Sequence, residues 1–379
     1  MSLIFSFARE AGGAEAIASV VKAVMKKHRV VLLAKDYAKD IFAKNSLSFT
    51  EIEGYSPDLM QNLIDKHGRP SLVLTSATSL PWNDMTEKYL WKWSAGEGTP
   101  SIGVLDQWQN YALRFSGVKK DEFLKYLPDY VCVMDEYAKA GMIREGIPKS
   151  RIVVTGQPAF DSVIKYKKFW TKKKSNEVRK NLGLKDEKMV LFVSEALRRD
   201  FEETLGYTEV TTLKAVLATL TKLTEESFKF ALIVKLHPQN RIEDFNEIDF
   251  GNYKSLFMKF IAKEMQPKDL ILSSDVVVGM ASILLVESIL CGNPTLSLQI
   301  NTKRDDNLIA TKMGAIPLIT SAKEFERVLR SILADEEYLK GYLECQRKLS
   351  ADGLATKRVA QLVETILGKS SVRCKIKKL

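Results

Sequence analysis

Four cysteines and three histidines in 379 residues leave little room for metal or disulfide chemistry. Cys132, Cys291, Cys345 and Cys374 show no metal-ligand spacing, and His28, His67 and His237 are not spaced for zinc. Cys132 and Cys291 lie in apolar runs, where reduced cysteine is a small hydrophobe, which points to a reducing, cytoplasmic setting. Long apolar runs are missing as well. The longest uncharged one, Val276 to Val286, is closed by Asp275 and Glu287 and falls well short of a membrane span. The apolar start, Leu3 to Ala8, is cut by Arg9 and Glu10; it is too short for a signal peptide and reads as a first buried strand. No G-x-G-x-x-G fingerprint is present, which argues against NAD or FAD, and no D-x-D motif suggests a metal-held diphosphate. Internal repeats and low-complexity tracts are also absent.

What remains is the profile of a soluble α/β protein. Hydrophobic residues make up 45% and charged residues 27% of a chain long enough for two domains. The net charge of +10 is partly concentrated in Lys165 to Lys174 (KYKKFWTKKK) and in the tail Arg373 to Lys378. Such runs are solvated surface or a lure for acidic partners, and Phe169 and Trp170 among the lysines suit peripheral contact with an anionic membrane. No recognition motif accompanies the basic runs, so nucleic acid is not expected.

Strand-like runs alternate with amphipathic helical stretches, the pattern of parallel α/β architecture. The first half holds candidate strands at Leu3 to Phe7, Val30 to Ala34, Ser71 to Thr75, Ser101 to Leu105, Tyr130 to Met134 and Ile152 to Thr155. The second holds Met189 to Ser194, Phe230 to Leu236, Leu270 to Ser273, Val276 to Val278 and Thr295 to Leu298. The expected organisation is two doubly wound, Rossmann-like domains facing a cleft, residues 1–165 and 175–348, joined by the basic segment as a linker. Residues 349–379 read as a helix, with Val359, Leu362, Val363, Ile366 and Leu367 on one face packing back on the first domain, followed by the basic tail. Ligands in such sheets bind at the carboxyl ends of strands.

The segment Ser273 to Leu298 (SSDVVVGMASILLVESILCGNPTLSL) carries the strongest chemical signal. An apolar run ends at Gly279, a turn through Met280, Ala281 and Ser282 follows, and a helix runs to Gly292. Backbone N–H groups at such a helix start favour phosphate, Ser282 is placed to cap it, and Glu287 is placed to accept ribose hydroxyls. The same residues also suit an ordinary strand–turn–helix with a solvated Glu287.

Four further groups sit at strand ends. Gly12 and Gly13 open a loop into a helix after the first strand, with Arg9 and Glu10 at the strand tip, which reads as a ligand approach or a tight turn. Asp106 precedes Trp108, Asn110, Tyr111 and Arg114; a carboxylate sheltered by rings suits a general base, or it caps the next helix. His237, in VKLHPQN, is a candidate phosphate donor or plain surface. Arg198 and Arg199 are phosphate clamps or exposed helix arginines.

Taken in order, these motifs resemble the GT-B superfamily of nucleotide-sugar enzymes along nearly the whole chain, nearest to UDP-N-acetylglucosamine 2-epimerases and glycerophosphotransferase-like glycosyltransferases. Asp129 to Asp161 (DYVCVMDEYAKAGMIREGIPKSRIVVTGQPAFD) is similar to the epimerase stretch ending in V-T-G-N/Q-P-x-x-D. The K-x-H-P around His237 resembles the glycerophosphotransferase-like group, and the G-x-x-S-x-x-x-x-E-x-x-x-x-G-x-P run from Gly279 to Pro294 is similar to a GT-B donor segment. The resemblance implies that Ser282 meets phosphate and Glu287 the ribose, and Asp106 falls where epimerases carry an acidic residue. Two departures count against epimerase chemistry. SEALRRDF stands where epimerases show H-R-x-E-N, and GMASILLVE where they show G-G-x-Q-E-E.

The resulting expectation is a metal-independent glycosyltransferase of cell-envelope or surface polysaccharide synthesis, cytoplasmic and possible at the inner membrane face. It needs no cofactor. Its donor is a nucleotide diphosphate sugar, UDP first among them, and its acceptor a sugar, polyol or lipid-linked hydroxyl. Asp106 and His237 are its catalytic candidates; Arg198, Arg199, Gly279, Ala281, Ser282 and Glu287 its nucleotide and phosphate contacts; and Arg9, Glu10, Gly12, Gly13 and Trp108 its acceptor side. The alternatives are a 2-epimerase, a polyol-phosphate transferase, or a non-catalytic nucleotide-sugar-binding protein.

Overall fold

Two parallel sheets organise the chain, seen in a computed structural model that describes residues 1–201, 204–226 and 228–376, with side chains to residue 369. The side chains of the basic tail at Arg373 to Lys378 lie outside the described residues. In chain order the first elements are β1 (Leu3–Ala8), α1 (Ala11–Val24), β2 (Arg29–Ala34), α2 (Tyr37–Lys44), β3 (Thr50–Glu51), α3 (Pro57–His67) and β4 (Leu72–Ser76). There follow α4 (Thr86–Gly96), β5 (Ser101–Val104), α5 (Tyr111–Arg114), β6 (Tyr130–Val133), α6 (Glu136–Arg144), β7 (Ile152–Val154) and α7 (Pro158–Lys168). The second sheet's run holds α8 (Lys172–Leu182), β8 (Lys188–Val193), α9 (Leu197–Phe201), α10 (Glu209–Glu225), β9 (Phe230–Lys235), β10 (Phe257–Ile261) and α11 (Pro267–Ser273). It continues through β11 (Val276–Gly279), α12 (Ile283–Cys291), β12 (Thr295–Leu298), α13 (Ile309–Lys312), β13 (Leu318–Ile319), α14 (Ala322–Ala334) and α15 (Glu336–Gln346) to α16 (Ala355–Ile376).

The chain divides into two compact units. Unit 1 comprises Met1–Ser162 and Ala351–Leu379, and unit 2 comprises Val163–Ser350. The sheet of unit 1 runs β3-β2-β1-β4-β5-β6-β7, and that of unit 2 runs β10-β9-β8-β11-β12-β13. Strands of both sheets pair in parallel. Each order reverses once, between β1 and β4 in unit 1 and between β8 and β11 in unit 2. Connections diverge at such a switch point, so the loops beyond those strand ends leave a crevice for a ligand.

In unit 1 the core below the sheet joins β1, β2 and β4 to α1, and Val359, Val363, Ile366 and Leu367 of α16 belong to it. Burying a side chain of this size contributes about 1.5–3 kcal/mol. His28 meets Glu364 at 3.0 Å, and the Ala355 and Thr356 amides donate to Asp161 at 3.1 and 2.7 Å, which fixes α16 at its start and near its middle.

Two sequence expectations fail. Leu270 to Ser273 is not a strand but the end of α11, because Pro267 at the first helical position starts a short helix whose Leu270 and Ile271 are buried. Lys165 to Lys174 is not a loose linker: it forms the end of α7 and the start of α8, with Thr171 accepting the Lys174 amide at 3.3 Å. Lys167 donates to the Leu290 carbonyl at 3.2 Å, and the Tyr166 hydroxyl donates to Asp269, so this stretch is built into unit 2. The sequence reading also missed β3, β10 and β13.

Candidate functional site

In unit 1 three strand ends converge at the switch point: Arg9 and Glu10 after β1, leading into the first turn of α1, where Gly12 and Gly13 lie in the helix rather than in a loop, Ala77–Ser79 after β4, and Asp106–Asn110 after β5. Gly12 and Gly13 allow it. A Cβ at Gly12 would lie 2.6 Å from Asp106 Oδ2, and one at Gly13 would lie 2.5 Å from Thr78 Cγ2 and 2.6 Å from Ser76 Cβ. Asp106 is buried, and burial raises its affinity for protons, with the Arg114 guanidinium opposing that shift. Arg114 is buried too. It donates to Asp106 at 3.4 Å and to the Ala77 and Thr78 carbonyls at 3.1 and 2.7 Å, tying the two loops together. Asp106 does not cap α5, whose N-cap position is Asn110 without a side-chain cap.

Beneath the Ala77–Ser79 loop lies a carboxylate that sequence reasoning missed. Glu87 of α4 is fully buried and accepts from the Ser76 hydroxyl and from the Thr78 and Ser79 amides at 3.1 and 3.0 Å. Lys88 beside it donates to the Ser79 carbonyl at 2.6 Å. Burial pushes Glu87 up to about 7 against the pull of Lys88 and its donors, and burial likewise pushes Lys88 down to about 8. A polar pair this deep fixes the loop geometry above it.

The rim residues expected on the acceptor side are held by neighbours. Arg9 pairs with Asp36 at 2.5 Å and also with Glu10. Trp108 donates to Asp135 at 2.7 Å and stacks on Phe160.

In unit 2 the crevice residues surround the turn into α12. Gly279 lets that turn sit tight, since a Cβ there would meet Leu285 Cδ2 at 3.1 Å and the Val193 carbonyl at 3.2 Å. Ser282 caps α12 by accepting the Leu284 amide at 3.3 Å, and Gly292 ends the helix with φ of 84°. The Met280 carbonyl accepts from Ser297 at 2.6 Å and from Gln299 at 3.3 Å. Gln299 also bonds Tyr207 at 3.0 Å and Asp306 at 2.7 Å, so the turn is pinned from β12.

The anion cradle at this turn already holds an anion. Glu195, two residues past β8, accepts the Ala281 amide at 2.7 Å, and the Met280 and Ser282 amides also stabilise its charge. Burial outweighs those amides and pushes Glu195 up to about 7, with Glu209 adding to the shift. Glu209, buried in the first turn of α10, accepts the Arg198 amide at 3.0 Å and the Asn240 side chain at 3.4 Å. Asn240 in turn accepts from Ser194 at 2.9 Å. Ser194, Glu195, Glu209 and Asn240 thus form one polar cluster over the ends of β8 and β9. The signal for Glu195 was its place at a strand end, within the SEALRRDF stretch whose arginines Arg198 and Arg199 drew the phosphate expectation instead.

His237 is half-buried after β9, and burial lowers its proton affinity, so it is neutral at physiological pH. Lys235 of the same K-x-H-P stretch is buried and donates to the Leu236 carbonyl at 3.0 Å, a structural rather than a ligand contact. Arg198 does not wait as a clamp, because its guanidinium pairs with Glu247 at 2.6 Å. Arg199 is exposed, and Glu287 is partly exposed on α12. Among the described residues no cluster of His, Cys, Asp and Glu is arranged for a metal, and no helix is long and apolar enough to cross a membrane.

A family model described as UDP-N-acetylglucosamine 2-epimerase matches residues 124–364, more than half of the chain and all of unit 2. The chain belongs to this family. Solved structures of similar fold include S. aureus MnaA with UDP, at 14% identity over 97% of each chain and a TM-score of 0.66. The Neisseria meningitidis UDP-GlcNAc 2-epimerase bound to UDP-GlcNAc aligns at 14% identity over 97% of this chain and 100% of its own, with a TM-score of 0.66. Anabaena Alr3699/HepE with UDP-glucose aligns at 11% identity over 98% and 100%, with a TM-score of 0.62. No curated protein matches the sequence. The family is therefore one of nucleotide-sugar epimerases with the GT-B fold, and the two motif departures do not exclude the chain from it. The expected glycosyltransferase gives way to the epimerase alternative as the better-backed reading.

Proposed function

We propose that the chain acts on a UDP-linked N-acetylhexosamine and inverts the centre next to the anomeric carbon. The observation that carries this reading is the family match across the nucleotide half, 124–364, which spans the α12 turn, Glu287 and His237. In this reading Gly279, Ala281 and Ser282 face the diphosphate, Glu287 takes the ribose hydroxyls, and Arg199 and His237 lie within the same set of loops. A neutral His237 donates a hydrogen bond to a phosphate oxygen without a cost in charge burial.

Inversion at C2 requires a base that takes the proton from one face, a donor that returns one to the other, and a fixed partner for the diphosphate. Asp106 is the base assigned in unit 1, since burial raises the proton affinity of its carboxyl group, and the proton delivered to the opposite face comes from a second group. Arg114 holds it in place and Gly12 gives it room. UDP stands as the nucleotide on the strength of the family; the acceptor and membrane contact of the transferase reading find support in the sequence alone.

Sugar transfer is the second reading, favoured by one observation: Ser194 and Glu195 stand where the family motif H-R-x-E-N was sought. Incubation with UDP-GlcNAc, alone and with a panel of hydroxyl acceptors, separates the two by chromatography. The C2 epimer formed without acceptor supports epimerisation. UDP released only with acceptor replaces it by transfer, and an unchanged sugar nucleotide in both arms removes the enzyme reading.

A further inference from the structure

The crevice of unit 2 presents a conflict between its built ligand and its proposed one. The Met280, Ala281 and Ser282 amides are the donors a diphosphate would need; Glu195 accepts from the Ala281 amide at 2.7 Å, and the other two stabilise its charge. Two anions do not share three amides: like charges at contact distance repel by several kcal/mol in a partly desolvated site. We infer that Glu195 is a built-in occupant of the diphosphate cradle, neutralised in place on binding, and that a sugar nucleotide enters unit 2 together with a proton taken up by Glu195. The inference rests on the nucleotide-sugar reading above and deepens it.

The other charged and titratable groups near Glu195 make it the one placed to take that proton. Glu209 faces it from α10, Tyr207 from the segment before α10, and Asp306 approaches through Gln299 and Tyr207. His237, after β9, is a further group able to gain a proton beside an incoming anion. Among the described residues the partners of the Glu195 carboxylate are amides, and the charged group acting on it is the like-charged Glu209. Once protonated, Glu195 is a poor acceptor for the three amides and releases them. Glu195 then works as a gate that passes its ligand only when neutral, and above neutral pH every binding event carries one proton.

Isothermal titration with UDP-GlcNAc tests this, because its diphosphate diester keeps two charges through the neutral range and adds no proton of its own. Titrations of the wild-type protein at about pH 8 in HEPES and in Tris, whose ionisation enthalpies differ, count protons taken up. The expected count is close to one. Affinity should fall roughly 30-fold between about pH 6 and about pH 8.5, as a group titrating near 7 demands. In Glu195→Gln the count should drop to zero and the affinity become flat with pH. Wild-type binding without proton uptake overturns the gate and leaves the nucleotide reading standing. Uptake that persists in Glu195→Gln assigns the proton to another group, such as His237 or Glu209, and overturns it equally. No binding by the folded wild-type protein at any pH removes the nucleotide reading and the gate with it. The wild-type count decides the matter even if the variant does not fold.

Discussion

A methyl group added at Gly12 would stand 2.6 Å from Oδ2 of Asp106, so the first turn of α1 and the carboxylate after β5 meet only because residue 12 has no side chain. Gly12→Ala must therefore push Asp106 out of its place beside Arg114. The expected result is a loss of turnover of tenfold or more with UDP-sugar binding retained, since a displacement near 1 Å at a reacting group costs roughly 100-fold. Unchanged turnover in a folded Gly12→Ala protein, followed by chromatography of the sugar nucleotide, would remove Asp106 from the chemistry. Gly13→Ala meets Thr78 and Ser76 instead, and overpacking there should cost about 1–3 kcal/mol in urea denaturation.

Asp106→Asn keeps the shape and removes the proton acceptor. Turnover should disappear while the melting shift given by UDP-GlcNAc stays. Loss of both together sinks the base assignment and makes Asp106 a structural partner of Arg114.

Glu87→Leu tests what holds the Ala77–Ser79 loop. It removes the oxygen that accepts both the Thr78 and Ser79 amides, so buried donors lose their partner. Such a loss costs about 1–3 kcal/mol. Urea denaturation midpoints that match the wild type would show that the loop is fixed by Arg114 alone.

Glu195 leaves a pH signature in the ligand-free protein. Its folded-state affinity for protons is raised, to about 7 from the usual 4.5, so the native state binds the proton more tightly than the unfolded chain does. Its favourable contribution is complete below about 4.5 and is lost as pH rises through about 7. The melting temperature of Glu195→Gln relative to wild type should therefore climb across that window. A constant difference between the two proteins over the same range means that Glu195 is already ionised at little cost.

The sheets were legible because their central strands are near-continuous apolar runs: Leu72 to Leu74 and Phe230 to Val234 have the pattern of strands buried on both faces of a parallel sheet. The errors have the same physical root. Leu270 to Ser273 has the composition of a strand, and only Pro267 upstream betrays the helix. The two-residue β3 and β13 are too short to carry any pattern, and β10 has the exposed Phe257 at its start. At the site, the turn from Gly279 to Ser282 was readable because strand, cap and helix follow one another in sequence. Glu195 and Glu87 were not. Each acts on a backbone 9 to 86 positions away, at Thr78 and Ala281, and such pairings are set by topology rather than by local pattern.

The account stands on a UDP pocket in unit 2, and a thermal-shift series over UDP, CDP, GDP and their sugars, run near pH 6.5 where the Glu195 gate is open, tests it most directly. A ligand that binds only the folded state at a hundredfold excess over its Kd adds about 2.7 kcal/mol, a rise of a few degrees. The account predicts that rise for UDP and UDP-GlcNAc, its absence for CDP and GDP, and its loss in Glu287→Ala. An equal response to all three nucleotides, or none to UDP, would contradict it.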